Sequence, residues 1–109
     1  MIENFTYPKE KIWTVYTKSN CIYCTKVKEL LKSNNIDYIT VNCDEYIQNL
    51  INKEAFLSHM ESLIGKKYKT FPMVFNGNNF IGGFDNTENY IESIHQQNQN
   101  TNLNFKEDF

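Results

Sequence analysis

The N-terminal part of the chain is patterned as strand, helix and strand, and this order constrains the fold more than any other feature. Residues 11–17 are a nearly continuous run of apolar, aromatic and β-branched residues, which is typical of a strand buried on both faces. From Cys21 onward the apolar side chains recur at spacings of three and four, which predicts an amphipathic helix that ends at residues 33–35. Residues 36–43 alternate in polarity and predict a second strand. Because such a crossover is right-handed, the two strands are expected to be parallel.

The rest of the chain completes a mixed sheet. Four elements are predicted: a helix over residues 46–64 with a bend near 52–53, strands over 73–75 and 79–82, and a last helix that begins near Asp85. Gly65 suits the left-handed residue after a helix, Asn76-Gly77 predicts a hairpin, and Asp85 with Glu88 resembles a capping box. The predicted fold class is α/β, a four-stranded mixed sheet in the order β-α-β-α-β-β-α with helices on both faces.

Length and composition fit one small domain. The 109 residues are 40% hydrophobic, which is enough for one core. A formal charge of −2 without a basic block argues against nucleic acid as a partner, and the absence of a long apolar run or a secretory signal argues against a membrane partner and secretion. Three cysteines are too few for a secreted disulfide scaffold. We therefore expect a cytoplasmic protein with a lead-in at residues 1–10, one domain at 11–97 and a polar flexible tail at 98–109.

Two cysteines mark the junction between the first strand and the first helix. Cys21 and Cys24 form a C-x-x-C pattern, which after a β-α-β start is typical of a thiol–disulfide redox pair. Residues 19–20 offer the turn and the helix cap before them. The free N–H groups of a helix N-terminus and the nearby cation of Lys18 both favour the thiolate of Cys21, which is the form that attacks a disulfide. Cys24 lies one turn into the helix and suits the resolving role.

A zinc half-site is the alternative interpretation of this cysteine pair. It would need two further ligands, and the candidates are Cys43, His59 and His95. No second C-x-x-C and no paired histidine spacing accompanies them, so we predict no metal site. Cys43 falls on the second predicted strand, where we expect a buried, unreactive thiol.

Three motifs follow one another along the chain. They are Lys18-Ser19-Asn20-Cys21-Ile22-Tyr23-Cys24, Thr70-Phe71-Pro72-Met73-Val74-Phe75 and Ile81-Gly82-Gly83-Phe84-Asp85. In kind and order they resemble the motifs of dithiol glutaredoxins, which have a thioredoxin fold, and the resemblance extends over residues 11–97. It implies a monomeric, glutathione-dependent thiol–disulfide oxidoreductase (a thioltransferase) that reduces glutathione mixed disulfides and protein disulfides. Cys21 would be the nucleophile, and Cys24 would resolve the mixed disulfide.

The same resemblance implies a set of glutathione contacts. Pro72 would be a cis-proline, and Phe71 before it would pair its backbone with the extended tripeptide. The N–H groups of Phe84 and Asp85 would hold the γ-glutamyl carboxylate at the start of the last helix. The other implied contacts are Lys18 with the glycyl carboxylate, Tyr23 as a wall of the groove, Thr70 beside Phe71, and Gly82 and Gly83 where the backbone passes close to the ligand.

The chain departs from the family pattern at three positions. Ile22 stands where proline is usual, a change that in this family accompanies occasional binding of a 2Fe–2S cluster between two subunits. Phe71 replaces valine, which matters little if the backbone does the binding. Leu57 occupies the helix position where relatives often place Gln or Arg against glutathione. The candidates to replace that contact are Lys53, Ser58 and His59.

Two other functions stay open. A protein disulfide reductase recycled by thioredoxin reductase would use the same fold, but thioredoxins favour Gly-Pro between the cysteines, whereas this chain has Ile22 and Tyr23. A carrier or sensor of a 2Fe–2S cluster would hold it with Cys21 of two chains and two glutathiones, and Ile22 is the feature that supports it.

Overall fold

Seven elements follow one another in the order that the sequence predicts. The computed structural model describes residues 5–107, and it describes side chains as far as residue 95. The elements are β1 Trp13–Thr17, α1 Ile22–Ser33, β2 Tyr38–Asn42, α2 Leu50–Ile64, β3 Met73–Asn76, β4 Asn79–Gly82 and α3 Phe84–Glu107. Residues 1–4 of the predicted lead-in and 108–109 of the predicted tail lie outside the described residues. α3 continues past residue 98, and the flexibility predicted for that segment stays a prediction. None of the described helices is both long and apolar enough to cross a bilayer.

The four strands form one mixed sheet in the order β2-β1-β3-β4. β1 is parallel to β2, with Trp13 opposite Tyr38, as expected for two strands joined by a helical crossover. β1 is antiparallel to β3, with Tyr16 opposite Met73. β3 and β4 form the predicted hairpin, whose tight turn contains Gly77 at a φ of 60°. The predicted α/β class is confirmed.

β1 is buried along its whole length, because helices cover both faces of the sheet. Successive side chains of a strand point to opposite faces, so β1 contributes to two separate cores. On one face the core contains α2 residues and consists of Tyr16, Val41, Cys43, Phe56, Met60, Met73 and Phe75. On the other face it contains residues of α1 and α3 and consists of Trp13, Val15, Val27, Leu31, Val74 and Ile91.

α2 begins four residues later than the sequence predicts. The chain first makes a turn, in which the N–H groups of Tyr46 and Ile47 both donate to the carbonyl of Cys43 at 2.9 and 3.1 Å. Asn49 then caps the helix by accepting the N–H of Asn52 at 2.9 Å. The bend predicted near residues 52–53 is wrong, since α2 runs unbroken through them from Leu50 to Ile64. At the other end, Gly65 has the predicted left-handed conformation, with a φ of 92°.

The described part of the lead-in packs against α2. The hydroxyl of Tyr16 donates to the carbonyl of Thr6 at 2.5 Å. The ring of His59 lies 5.2 Å from that of Phe5 and 4.9 Å from that of Tyr7, measured between centroids. Nε2 of His59 is buried there, and no described residue offers it a hydrogen bond. Burial of the ring lowers the pKa of His59 because the charged form loses its hydration.

Acidification should therefore destabilise the fold through His59. Its pKa in the folded protein lies below the ordinary value of 6.5, so the unfolded chain binds the proton more readily. The free energy of unfolding then falls as the pH drops through the unfolded value toward the folded one. We expect His59→Gln, which cannot take up the proton, to lose less stability than the wild type between about pH 7.5 and about pH 5.5, as measured by urea unfolding.

His95→Gln is the matched control for this measurement. Its side chain is exposed, so the substitution should leave the loss of stability between the two pH values as it is in the wild type. An equal loss in His59→Gln and in the wild type would contradict the prediction.

Candidate active site

The cysteine pair lies where β1 leads into α1. The helix begins at Ile22, and Cys21 is its N-cap residue, in an extended conformation. The structure joins Cys21 and Cys24 in a disulfide, with Cα atoms 5.2 Å apart. The cap predicted at residues 19–20 thus falls one residue later. Asn20, with a φ of 55°, forms the turn instead.

The two sulfurs differ in access and in surroundings. Cys24 is 1% exposed, whereas Cys21 is partly exposed at the surface. Sγ of Cys21 lies 3.2 Å from the backbone N–H of Cys24, so it is the acceptor for a helix-end donor that lacks a backbone partner. The first turn of α1 contains no acidic residue. After reduction of the disulfide, the helix end would favour the thiolate of Cys21 over that of Cys24.

A carboxylate after β2 holds the loop that carries Cys21. Asp44 accepts the backbone N–H of Ser19 at 2.9 Å and its hydroxyl at 2.5 Å. These hydrogen bonds, with help from the charge of Lys18, keep the pKa of Asp44 below its usual range, so it is ionised at neutral pH. Sequence reasoning missed Asp44. Its only signal was its position at the carboxyl end of a strand parallel to β1.

A groove of about 410 Å³ is built from the loop before β3 and the start of α3. It is lined by Tyr23, Tyr68, Thr70, Phe71, Pro72, Gly83, Phe84, Asp85 and Asn86. The Phe71–Pro72 bond is cis, as the family resemblance implied. Sγ of Cys21 lies 3.8 Å from the carbonyl oxygen of Phe71, so this sulfur borders the groove.

The groove contains all but two of the residues predicted to contact glutathione. Lys18 is exposed on the loop before Cys21, and neither Lys18 nor Gly82 lines the cavity. Their roles in binding stay predictions. Tyr68 also lines the groove, although the sequence did not lead us to predict it. The only sign of it in the sequence was that it is an aromatic residue two positions before Thr70.

Two glycines allow the chain to turn from β4 into α3. Gly82 has a φ of 132°, and a Cβ there would lie 2.7 Å from the Cβ of Asn86, which no ordinary contact permits. A Cβ on Gly83 would lie 3.2 Å from the hydroxyl of Tyr68. The buried hydroxyl of Thr87 donates to the carbonyl of Gly83 at 2.7 Å and secures the first turn of the helix.

One departure from the family pattern, at Phe71, has a local explanation. The ring of Phe71 lies parallel to that of Phe56, with centroids 6.2 Å apart, so the larger side chain is supported by α2. Ile22 is 69% exposed beside the cysteines. The structure gives no reason for its replacing proline.

No candidate from α2 lines the groove. Leu57 and Ser58 line a neighbouring cavity of about 430 Å³, which shares Tyr68 with the groove. His59 packs under the lead-in instead. Lys53 is exposed and lines neither cavity.

The third cysteine is buried as predicted, although it lies one residue after β2 and not on the strand. Cys43 is fully buried in the core, and its thiol lies 3.5 Å from the carbonyl oxygen of Val41. Burial raises the pKa of its thiol to about 12. Within the part of the chain that the structure describes, no three metal-ligating side chains come together.

Known proteins share this fold and sequence pattern. A family model described as Glutaredoxin matches residues 13–81. Glutaredoxin 1 of Rickettsia conorii is 37% identical over 71 residues, which cover 65% of this chain and 63% of that protein. The chain thus spans less than two thirds of the length of this curated relative.

Two solved structures extend the comparison. Glutaredoxin 1 of Francisella tularensis superposes with a TM-score of 0.63 at 23% identity, covering 77% of this chain and 95% of that one, and shows the fold alone. A buckwheat glutaredoxin–glutathione complex superposes with a TM-score of 0.57 at 28% identity, covering 74% of this chain and 69% of that one. Because the family model covers more than half of the sequence, on a thioredoxin fold with a C-x-x-C at the start of α1, the chain belongs to the glutaredoxin family.

Proposed function

We propose that this glutaredoxin is a glutathione-dependent thiol–disulfide oxidoreductase that reduces glutathione mixed disulfides and protein disulfides. The observation that carries the proposal is the place of Cys21, whose partly exposed sulfur caps a helix and borders the groove beside the cis-proline. The buckwheat relative, which was solved as a glutathione complex, supports glutathione as the ligand of the corresponding groove.

The first step is an attack by the thiolate of Cys21 on the glutathione sulfur of a mixed disulfide. A sulfur–sulfur bond forms between Cys21 and glutathione, the original disulfide breaks, and the substrate leaves as a thiolate that takes a proton from water. A second glutathione thiolate then attacks the glutathione sulfur bound to Cys21. Oxidised glutathione leaves and Cys21 returns as the thiolate, so each turnover consumes one free glutathione, whose sulfur is oxidised as the sulfur of the substrate is reduced.

Protein disulfides require the second cysteine. After Cys21 has formed a mixed disulfide with the protein, the thiolate of Cys24 attacks Sγ of Cys21 and releases the reduced protein. The product is the Cys21–Cys24 disulfide, the state that the structure records. Two glutathione molecules then reduce it. Because Cys24 is buried beside Cys21, its thiolate attacks Sγ of Cys21 and not a disulfide in solution.

The groove orients glutathione for this exchange. The backbone of Phe71 would pair with the extended tripeptide, and Thr70, Tyr23 and Gly83 would shape its path. The N–H groups of Phe84 and Asp85 at the start of α3 would hold the γ-glutamyl carboxylate. Lys18 would reach the glycyl carboxylate from its exposed loop.

We further propose that the protein acts as a monomer in the cytoplasm. Every residue that lines the groove belongs to one chain, so a second copy is not needed to bind glutathione. The proposed chemistry needs a pool of reduced glutathione, which the cytosol maintains.

Serine variants separate the roles of the two active-site cysteines. Cys21→Ser should lose activity on a glutathionylated protein by about a hundredfold or more, because a serine hydroxyl is not ionised at neutral pH. The activity of Cys24→Ser on the glutathionylated protein should stay within about tenfold of the wild type. Its activity on a protein disulfide should be lost, since only the reduction of a protein disulfide needs Cys24 to release the product. Glutathione-coupled assays with both substrates measure this.

Cys43→Ala is the matched control, since Cys43 is buried away from the groove. It should keep both activities. Activity retained by Cys21→Ser would overturn the proposed function.

Alkylation of the reduced protein should distinguish the thiols by their surroundings. We expect iodoacetamide to modify Cys21 first, with a rate-against-pH midpoint below the value of about 8.5 for a free thiol. Cys43 should react only after unfolding, because burial both shields its thiol and raises its pKa to about 12. Mass spectrometry of the alkylated peptides checks the order, and a midpoint for Cys21 above that of a free thiol would contradict it.

A further inference from the structure

We infer that the hydroxyl of Tyr68 is a specificity-determining contact for the γ-glutamyl end of glutathione. The inference rests on the proposed function and concerns a residue that the family motifs do not include.

Tyr68 lies beside Gly83 in the groove. It lines the cavity, and its hydroxyl is 3.2 Å from the place that a Cβ on Gly83 would occupy. The same place is 3.7 Å from the carbonyl oxygen of Pro72. The phenol oxygen therefore lies next to the residue that precedes α3, whose first N–H groups are those of Phe84 and Asp85.

The hydroxyl has no hydrogen-bond partner among the residues that the structure describes. Two other tyrosines differ, since the hydroxyl of Tyr16 donates to the carbonyl of Thr6 and that of Tyr90 accepts from the side chain of Asn76. A phenol oxygen both donates and accepts, and at the wall of a groove its open positions are available to a ligand.

The ring that carries this hydroxyl is held firmly. It packs edge-on against Phe80 of β4, with centroids 4.9 Å apart at an interplanar angle of 75°. Phe80 packs in turn on Phe75 of the core, at 5.2 Å. Because these contacts hold the ring in place, a ligand need not order the side chain when it binds.

The γ-glutamyl group has the chemistry to use this hydroxyl. It carries an α-carboxylate and an α-ammonium group on one carbon. With the carboxylate at the helix end, the hydroxyl of Tyr68 can donate to it or accept from the ammonium, and either bond is charge-assisted. A thiol compound that lacks the γ-glutamyl group places no amino-acid carboxylate and ammonium pair at this end of the groove.

Tyr68→Phe tests the inference, because it removes the hydroxyl and keeps the ring packing on Phe80. One substrate protein is prepared as its glutathione mixed disulfide and as its cysteinylglycine mixed disulfide, which lacks the γ-glutamyl group. In Tyr68→Phe we expect KM for the glutathione form to rise about tenfold with kcat within about twofold, the size expected for one charge-assisted bond. KM for the cysteinylglycine form should equal that of the wild type.

Tyr7→Phe is the matched control, since Tyr7 is exposed on the lead-in and does not line the groove. It should leave both KM values unchanged. Unchanged KM for the glutathione form in Tyr68→Phe, or an equal rise for both substrates, would overturn the inference.

A binding measurement separates this inference from the proposed function. Calorimetry with S-methylglutathione, which cannot react, needs no turnover. Binding weakened about tenfold by Tyr68→Phe supports the contact even if the wild type proves inactive as an oxidoreductase. Equal binding by the two proteins, or no binding by the wild type, refutes it.

Discussion

Sγ of Cys21 occupies the place that a serine or aspartate oxygen usually takes at the start of a helix. It lies 3.2 Å from the N–H of Cys24, and the rest of the site is arranged around this contact. A sulfur in that position is exposed on its outer side and faces the positive end of the helix dipole on its inner side. Both the proposed reactivity of Cys21 and the shielding of Cys24 follow from this placement.

The order of the strands brings a groove to that sulfur. β1 and β3 are neighbours and antiparallel, so the loop that precedes β3 meets the loop that follows β1. This pairing joins Cys21 to Phe71 across 50 positions of sequence. The hairpin then places β4 beside β3, and α3 starts next to the same loop. The groove exists because three loops lie at the same end of the sheet. They are the loop after β1, the loop before β3 and the turn from β4 into α3.

Residues whose signal is local were predicted well, and residues whose role depends on distant contacts were not. The cysteine pair, Gly65 and the hairpin at Gly77 each have a backbone or capping requirement that can be read over a few positions. Asp44 and Tyr68 have no such signal, because their partners lie far along the chain. The start of α2 was misplaced for a related reason. Ile47 packs on the core from a turn, while Leu50 in the first turn of the helix is 68% exposed.

The sequence by itself determined the order of the elements, the mixed sheet and the place of the Cys21 sulfur at the start of a helix. Hydrophobic periodicity and the spacing of two cysteines are properties of short stretches of sequence, so they can be recognised without knowing how the elements pack. Only the tertiary structure decided what surrounds that sulfur. The support of Phe71 by Phe56, the anchoring of Ser19 by Asp44 and the approach of Tyr68 to Gly83 depend on how helices and loops meet across the sheet. Those distances arise from packing the whole core, so no local pattern encodes them.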